Sequence, residues 1–240
     1  MKSKIVYSLV PFLFLAACGK ETGSNDNKPS LADLKSPQAV VKAAETTMEK
    51  GDSSKPLSEY KEITSGNDLM FLYYALLSLP VDYEKIASIY SQDYNSTSDS
   101  FKKQDIINSL KARVDSQISA AKSSRYVIYT YAEDYKSALN SYDFQSKSFK
   151  LNGLDANSSY YWNDNASRYN IRFMNAEQVS TLQVADEKKA REIEALVSKK
   201  TPMLVKIYAF VQDADPSSTT VKAEVMKVEV KTRKGEVIYP

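Results

Sequence analysis

The spacing of apolar residues changes once along this chain, near residue 124, and that change sets the fold class. Before it, apolar side chains recur three and four residues apart; after it they alternate. In the first part, Ser36-Pro37 reads as an N-cap followed by proline at the first helical position, with Val40, Val41, Ala44, Thr47 and Met48 at helical spacing and Gly51 as the stop. Residues 52–65 read as a polar connector containing Pro56. Asn67 is the expected cap of a second helix to Leu79, whose run Leu69 to Leu77 is apolar on every side and predicts a buried core helix. Pro80 ends it and opens a third helix with Tyr83, Ile86, Ala87 and Tyr90 on one face. After a polar linker over 91–100, Ser100 is the expected cap of a long helix to about Lys122, with Ile107, Leu110, Val114, Ile118 and Ala121 in one core-facing stripe.

From Arg125 the residues are β-branched and aromatic, and Tyr126 to Tyr131 predict a strand. Tyr142 to Phe149 predict a second. Tyr169, Ile171 and Phe173, alternating with Asn170 and Arg172, predict a half-buried third. Residues 186–199 are helical, with Ala190, Ile193 and Val197 inward and Asp186-Glu187 at the favourable end of the dipole. Met203 to Val211 is nearly all apolar, as a central strand covered on both faces should be. In the last long strand Val221, Ala223 and Val225 share a face, but beyond Met226 the phase reverses to Val228 and Val230, a slip that predicts a β-bulge. Lys234-Gly235 then turns the chain into a final strand, Val237 to Tyr239. The expectation is an α+β protein, in which N-terminal helices over 31–123 pack with a mainly antiparallel sheet over 124–240 that contains the one helix.

Composition narrows the chemistry. In 240 residues there is no histidine and a single cysteine, which excludes His-based acid–base work, Ser-His and Cys-His nucleophiles, His-ligated metals and internal disulfides. With only six glycines and no phosphate-cradling glycine loop, no nucleotide or other cofactor is expected.

The N-terminus carries an address. Lys2 and Lys4 precede the apolar run Ile5 to Ala17, which is too short to span a bilayer and has the flanks of a secretory signal peptide. It ends in Leu15-Ala16-Ala17-Cys18, which resembles the lipobox of bacterial lipoproteins. The resemblance implies a signal peptide over 1–17, diacylglycerol (with a further palmitate-type chain on the new amino terminus) at Cys18, and attachment to the membrane through those chains. Two or three acyl chains hold a protein on a bilayer stably, whereas one does not. Residues 18–30 are polar and aperiodic, a flexible tether. Gly19 and Lys20 follow the cysteine in place of an acidic residue, so the outer membrane, facing the periplasm, is the expected location. Without Lys2 and Lys4 the remaining 30 basic residues balance 30 acidic ones, which gives no support to a nucleic-acid partner. The mature part is also similar to uncharacterised envelope lipoproteins, a resemblance that brings no activity with it.

Ser-x-x-Lys occurs at Ser58/Lys61, Ser100/Lys103 and Ser119/Lys122, as often as chance supplies it, and without the S-D-N and K-T-G companions of penicillin-binding enzymes. Paired carboxylates need no histidine, so Glu133, Asp134, Asp143, Asp155 and Asp164 keep open a peptidoglycan or polysaccharide hydrolase. Segment 151–168 is the most unusual. It sets Tyr160, Tyr161 and Trp162, the only tryptophan, among Asn, Asp and Ser, including Asp164. Flat rings beside amides and carboxylates suit sugar recognition, while the plainer alternative is a long loop whose rings fold back on the sheet. Asp155, Asn157 and Asp164 depart from the spacing of an EF-hand calcium loop, and no metal is expected. Glu187, Glu192 and Glu194, among lysines, read as a solvated helix face. The leading expectation is a non-catalytic, lipid-anchored binding or assembly module for an envelope protein or glycan.

Overall fold

In the computed structural model, residues 48–133 and 137–240 are described. The predicted signal peptide and tether, Cys18 and all of the first predicted helix before Met48 lie outside them, as does Asp134. The chain enters without regular structure across the outer face of the sheet. Glu49 pairs with Arg125 at 2.7 Å, and the Asp52 backbone N–H donates to the Tyr126 hydroxyl at 2.7 Å. A single 3₁₀ turn, Leu57–Glu59, leads into β1 (Lys61–Glu62). The predicted polar connector therefore holds a strand. Its two charged, exposed residues carry no alternation, and only pairing with a distant segment makes them β.

Helix α1 (Gly66–Leu76) is capped by Ser65, two residues before the expected cap Asn67, which lies inside the helix. Asp68, in its first turn, accepts the backbone N–H groups of Ser65 at 3.1 Å and Thr64 at 2.9 Å. As its all-round apolar sequence requires, Leu69 to Tyr74 are buried. The helix stops at Leu76, three residues before the expected Leu79. Asp82 caps α2 (Tyr83–Tyr90), and Ser91 caps a short α3 (Gln92–Ser96) inside the predicted linker, where it buries Tyr94. The long helix α4 (Ser100–Ser123) is capped by Asp99, not Ser100, through the backbone N–H groups of Phe101 and Lys102 at 2.9 and 3.3 Å. Its stripe faces the core, with Val114 and Ala121 buried and Leu110 and Ile118 packed at the edge.

The second half supplies β2 (Tyr126–Glu133), β3 (Ser148–Lys150), β4 (Asn170–Phe173), α5 (Ala176–Val179), β5 (Thr181–Gln183), α6 (Glu187–Ser198), β6 (Met203–Asp215), β7 (Thr220–Thr232) and β8 (Val237–Tyr239). The main sheet runs β1-β2-β6-β7-β4, with β8 on the other part of β7, while β3 and β5 form a separate ladder. Pairings β2–β6, β6–β7 and β7–β8 are antiparallel, and β1–β2 and β4–β7 are parallel. The fold is α+β with a mixed six-stranded sheet. Strand β6 lies between β2 and β7 and is buried on both faces from Ile207 to Gln212. Opposite it, Tyr208 pairs with Lys227 and Ala209 with Val225, so Met226 is the extra residue of the predicted bulge.

One core joins α1, α2, α4, α6 and both sheets, from Ile63 to Ile238. On the opposite sheet face, Tyr60, Ile128 and Tyr208 form a small second cluster flanked by Tyr126 and Met226. The predicted strand over 142–149 shrinks to β3. Asp143 pairs with Ser148, and the intervening residues form a hairpin tip.

Candidate functional site

Within 151–168, the structure separates residues that the sequence groups together. Tyr160 is tied by backbone hydrogen bonds in both directions to Ile171 at 2.9 Å. Its ring packs on Tyr129, Tyr131 and Phe173 at centroid distances of 5.2, 5.8 and 5.4 Å. Trp162 meets Tyr129 edge-on at 4.8 Å. Both rings are half-buried against the main core. Burial pushes the Tyr129 phenol up to about 12. Asp164 is a structural acceptor: Oδ2 takes the Gly66 backbone N–H at 2.8 Å and Oδ1 that of Ala166 at 2.9 Å. Of the three rings singled out here, Tyr161 alone is exposed, at 59%.

The candidate acids are likewise engaged. Asp155 accepts from the backbone of Asn157 and Ser158, both at 2.9 Å, and from the Ser158 hydroxyl at 2.8 Å. Asp143 accepts from Gln145 and Ser146 in the same manner. The serine hydroxyls and backbone donors favour the charged form and hold both carboxyls below the usual range. A glycosidase general acid needs the opposite shift. The Glu133 side chain and Asp134 lie outside the described residues. Among the described residues, no three acidic or cysteine side chains come together as a metal site.

The more developed surface lies between the hairpin tip and α6. Tyr142 is fixed three ways. Its hydroxyl donates to the Val184 carbonyl at 2.9 Å, its backbone N–H donates to Glu194 Oε2 at 2.8 Å, and its ring packs on buried Phe149 at 5.0 Å. The next residue, Asp143, draws the tip into a tight turn, and Lys147 takes a φ of 50° to close it. That turn holds Phe144 out of the protein, 82% exposed, with its ring edge-on to Tyr142 at 5.1 Å. Tyr142, Phe144, Glu187, Ala190, Arg191 and Glu194 line a cleft of about 280 Å³. Its electrostatics are set by α6, where Arg191 bonds Oε1 of Glu187 one turn earlier, and Glu194 Oε1 accepts the Ser198 hydroxyl at 3.2 Å.

Alternation of Tyr142 and Phe144 suggests a strand, which hid this site in the sequence. The signal that reveals it is Asp143 followed by Ser146, an Asx-type turn placing Phe144 at its tip. A second hollow, bounded by β1, α1 and α4, has about 30 Å³, room for a single water.

The class of protein defined so far is an α+β domain with a mixed sheet and a rigid aromatic tip beside a charged cleft. No protein-family model, curated protein or solved structure matches the chain.

Proposed function

We propose that this chain is a lipid-anchored protein of the bacterial cell envelope, held through Cys18, that acts by binding a protein partner at the hairpin tip and α6. The anchor rests on the basic start, apolar run, lipobox and polar tether, and the non-acidic Gly19-Lys20 favours the outer membrane. Among the described residues no helix is long and apolar enough to cross a membrane.

The binding reading rests on Phe144. A phenylalanine left 82% exposed on a tip stiffened by its own hydrogen bonds buries little inside the domain beyond its edge-on contact with Tyr142. Burying it against a partner is worth about 2–3 kcal/mol. An aromatic anchor beside a cleft is the arrangement typical of interface hot spots. A glycan platform has less behind it, because Tyr160 and Trp162 are committed to the core and Tyr161 is left as a single ring. A hydrolase gains no support from Asp143, Asp155 or Asp164, whose oxygens are occupied by turn and helix donors.

The test is in-cell photo-crosslinking from position 144, with exposed Ser119 on α4 as control, beside pelleting of the purified protein with peptidoglycan sacculi. A discrete protein adduct from 144 and none from 119 supports the reading. Pelleting with sacculi that survives Phe144→Ala, or fragments released from them, would overturn it.

A further inference from the structure

The cleft beside Phe144 has a chemistry specific enough to name its occupant. Two carboxylates, Glu187 and Glu194, border it against one guanidinium, Arg191, so its walls carry a net negative charge. Arg191 engages a single oxygen of Glu187, leaving Oε2 turned to no partner among the described residues. The Ala190 side chain and two rings set at 84° to each other complete the lining. Ring faces attract cations, and the methylenes of a long basic side chain pack on such rings while the charged head reaches an acidic rim. The 280 Å³ volume accommodates one side chain of that length with its surrounding water.

We infer that this cleft receives a lysine or arginine side chain from a polypeptide partner, its alkyl stem against Phe144 and Tyr142 and its charge at Oε2 of Glu187, with Glu194, already held by the Tyr142 N–H and the Ser198 hydroxyl, adding its charge to the rim. The inference rests on the binding reading above. Arg191 is then an internal competitor: it occupies part of the acidic rim and leaves the net attraction modest. Removing it strengthens binding, an outcome that damage to the fold does not produce.

The experiment uses the full-length protein in deuterated detergent and saturation-transfer NMR on three pentapeptides that differ only at the central residue: lysine, norleucine or glutamate. The expected result is transfer to the lysine δ and ε methylenes at least five-fold above that to norleucine, and none to the glutamate peptide. Glu187→Gln lowers the lysine signal several-fold, Phe144→Ala abolishes it, and Arg191→Leu raises it. Norleucine matching lysine, or Arg191→Leu weakening the lysine peptide, overturns the inference. If no peptide is saturated while the position-144 crosslink persists, the basic occupant is wrong and the binding surface stands; loss of both sinks both.

Discussion

The carboxylate of Asp164 accepts the backbone N–H of Gly66 at 2.8 Å across 98 residues of sequence, and so fastens the aromatic loop to the first turn of α1. The approach is so close that a Cβ on Gly66 would lie 2.5 Å from Asp164 Oδ1 and 3.0 Å from the Ala166 Cβ. One contact thus ties the helical half to the sheet half and requires glycine at the helix start.

Gly66→Ala should lower stability by about 1–3 kcal/mol, since the loop backbone must move to admit the methyl. Asp164→Ala should cost about 1–2 kcal/mol by leaving an N-terminal helix donor unpaired, and Asp164→Asn less, because the amide oxygen still accepts. Urea denaturation midpoints give the order; equal losses for the two Asp164 variants would reject the capping role.

Gly51 is held as closely on the other sheet face. A Cβ there would sit 2.6 Å from Met226 Sδ and 2.8 Å from the Phe210 Cβ. The methionine end can swing away, but a Cβ fixed to β6 cannot. Gly51→Ala is therefore expected to loosen residues 49–52, and Met226→Ala to relieve only part of the loss. Hydrogen exchange at Gly51 and Asp52, whose N–H groups bond Glu224 and Tyr126, reports it directly.

Deleting Met226 should be far worse than truncating it. With the bulge removed, one stretch of β7 must flip its faces, taking Val228 and Val230 out of the core or Val221, Ala223 and Val225 with them. Met226→Ala keeps the register, and a cooperative urea transition is expected to survive. A deletion variant with a native circular dichroism spectrum and midpoint would contradict the bulge's role.

The tyrosines predict an alkaline transition. Burial raises the Tyr129 phenol from 10 to about 12, and raises that of Tyr169 by burial and the Tyr74 hydroxyl beside it. In each case the unfolded chain releases its proton first. Stability is intact below pH 10 and falls as pH rises from about 10 through about 12. Absorbance at 295 nm should show exposed tyrosines ionising near 10 and a later step coincident with loss of near-ultraviolet dichroism. Tyr129→Phe should weaken that later step; a single smooth titration across all tyrosines would refute it.

Membrane attachment offers the last prediction. Cys18→Ala should abolish labelling by radioactive palmitate and shift the protein from the membrane to the soluble fraction. Retention in the membrane fraction would dismiss the lipid anchor.

Where a segment's environment is uniform along its length, its period reports its structure. The all-round apolar run of α1, the doubly covered β6 and the phase slip at Met226 are each legible because burial alone decides which residue types fit. Cap positions shifted by two residues, from Asn67 to Ser65, and by one, from Ser100 to Asp99, because several polar residues there can serve and local geometry chooses among them. Strand β1 stayed hidden, since Lys61 and Glu62 become β only by pairing with Val127 and Ile128.

The candidate site follows the same division. Residue type alone carried the exclusions that come from lacking histidine, the resemblance to a lipobox at Cys18 and the α+β order of elements. Tertiary structure decided which aromatics are available. Tyr160 and Trp162 find partners on Tyr129, whereas Phe144 is turned outward by the hydrogen bonds of Asp143, and its neighbours Arg191 and Glu194 come from a helix over 40 residues away. Sequence specifies what a side chain prefers; which preference is met depends on neighbours that only the folded chain brings within reach.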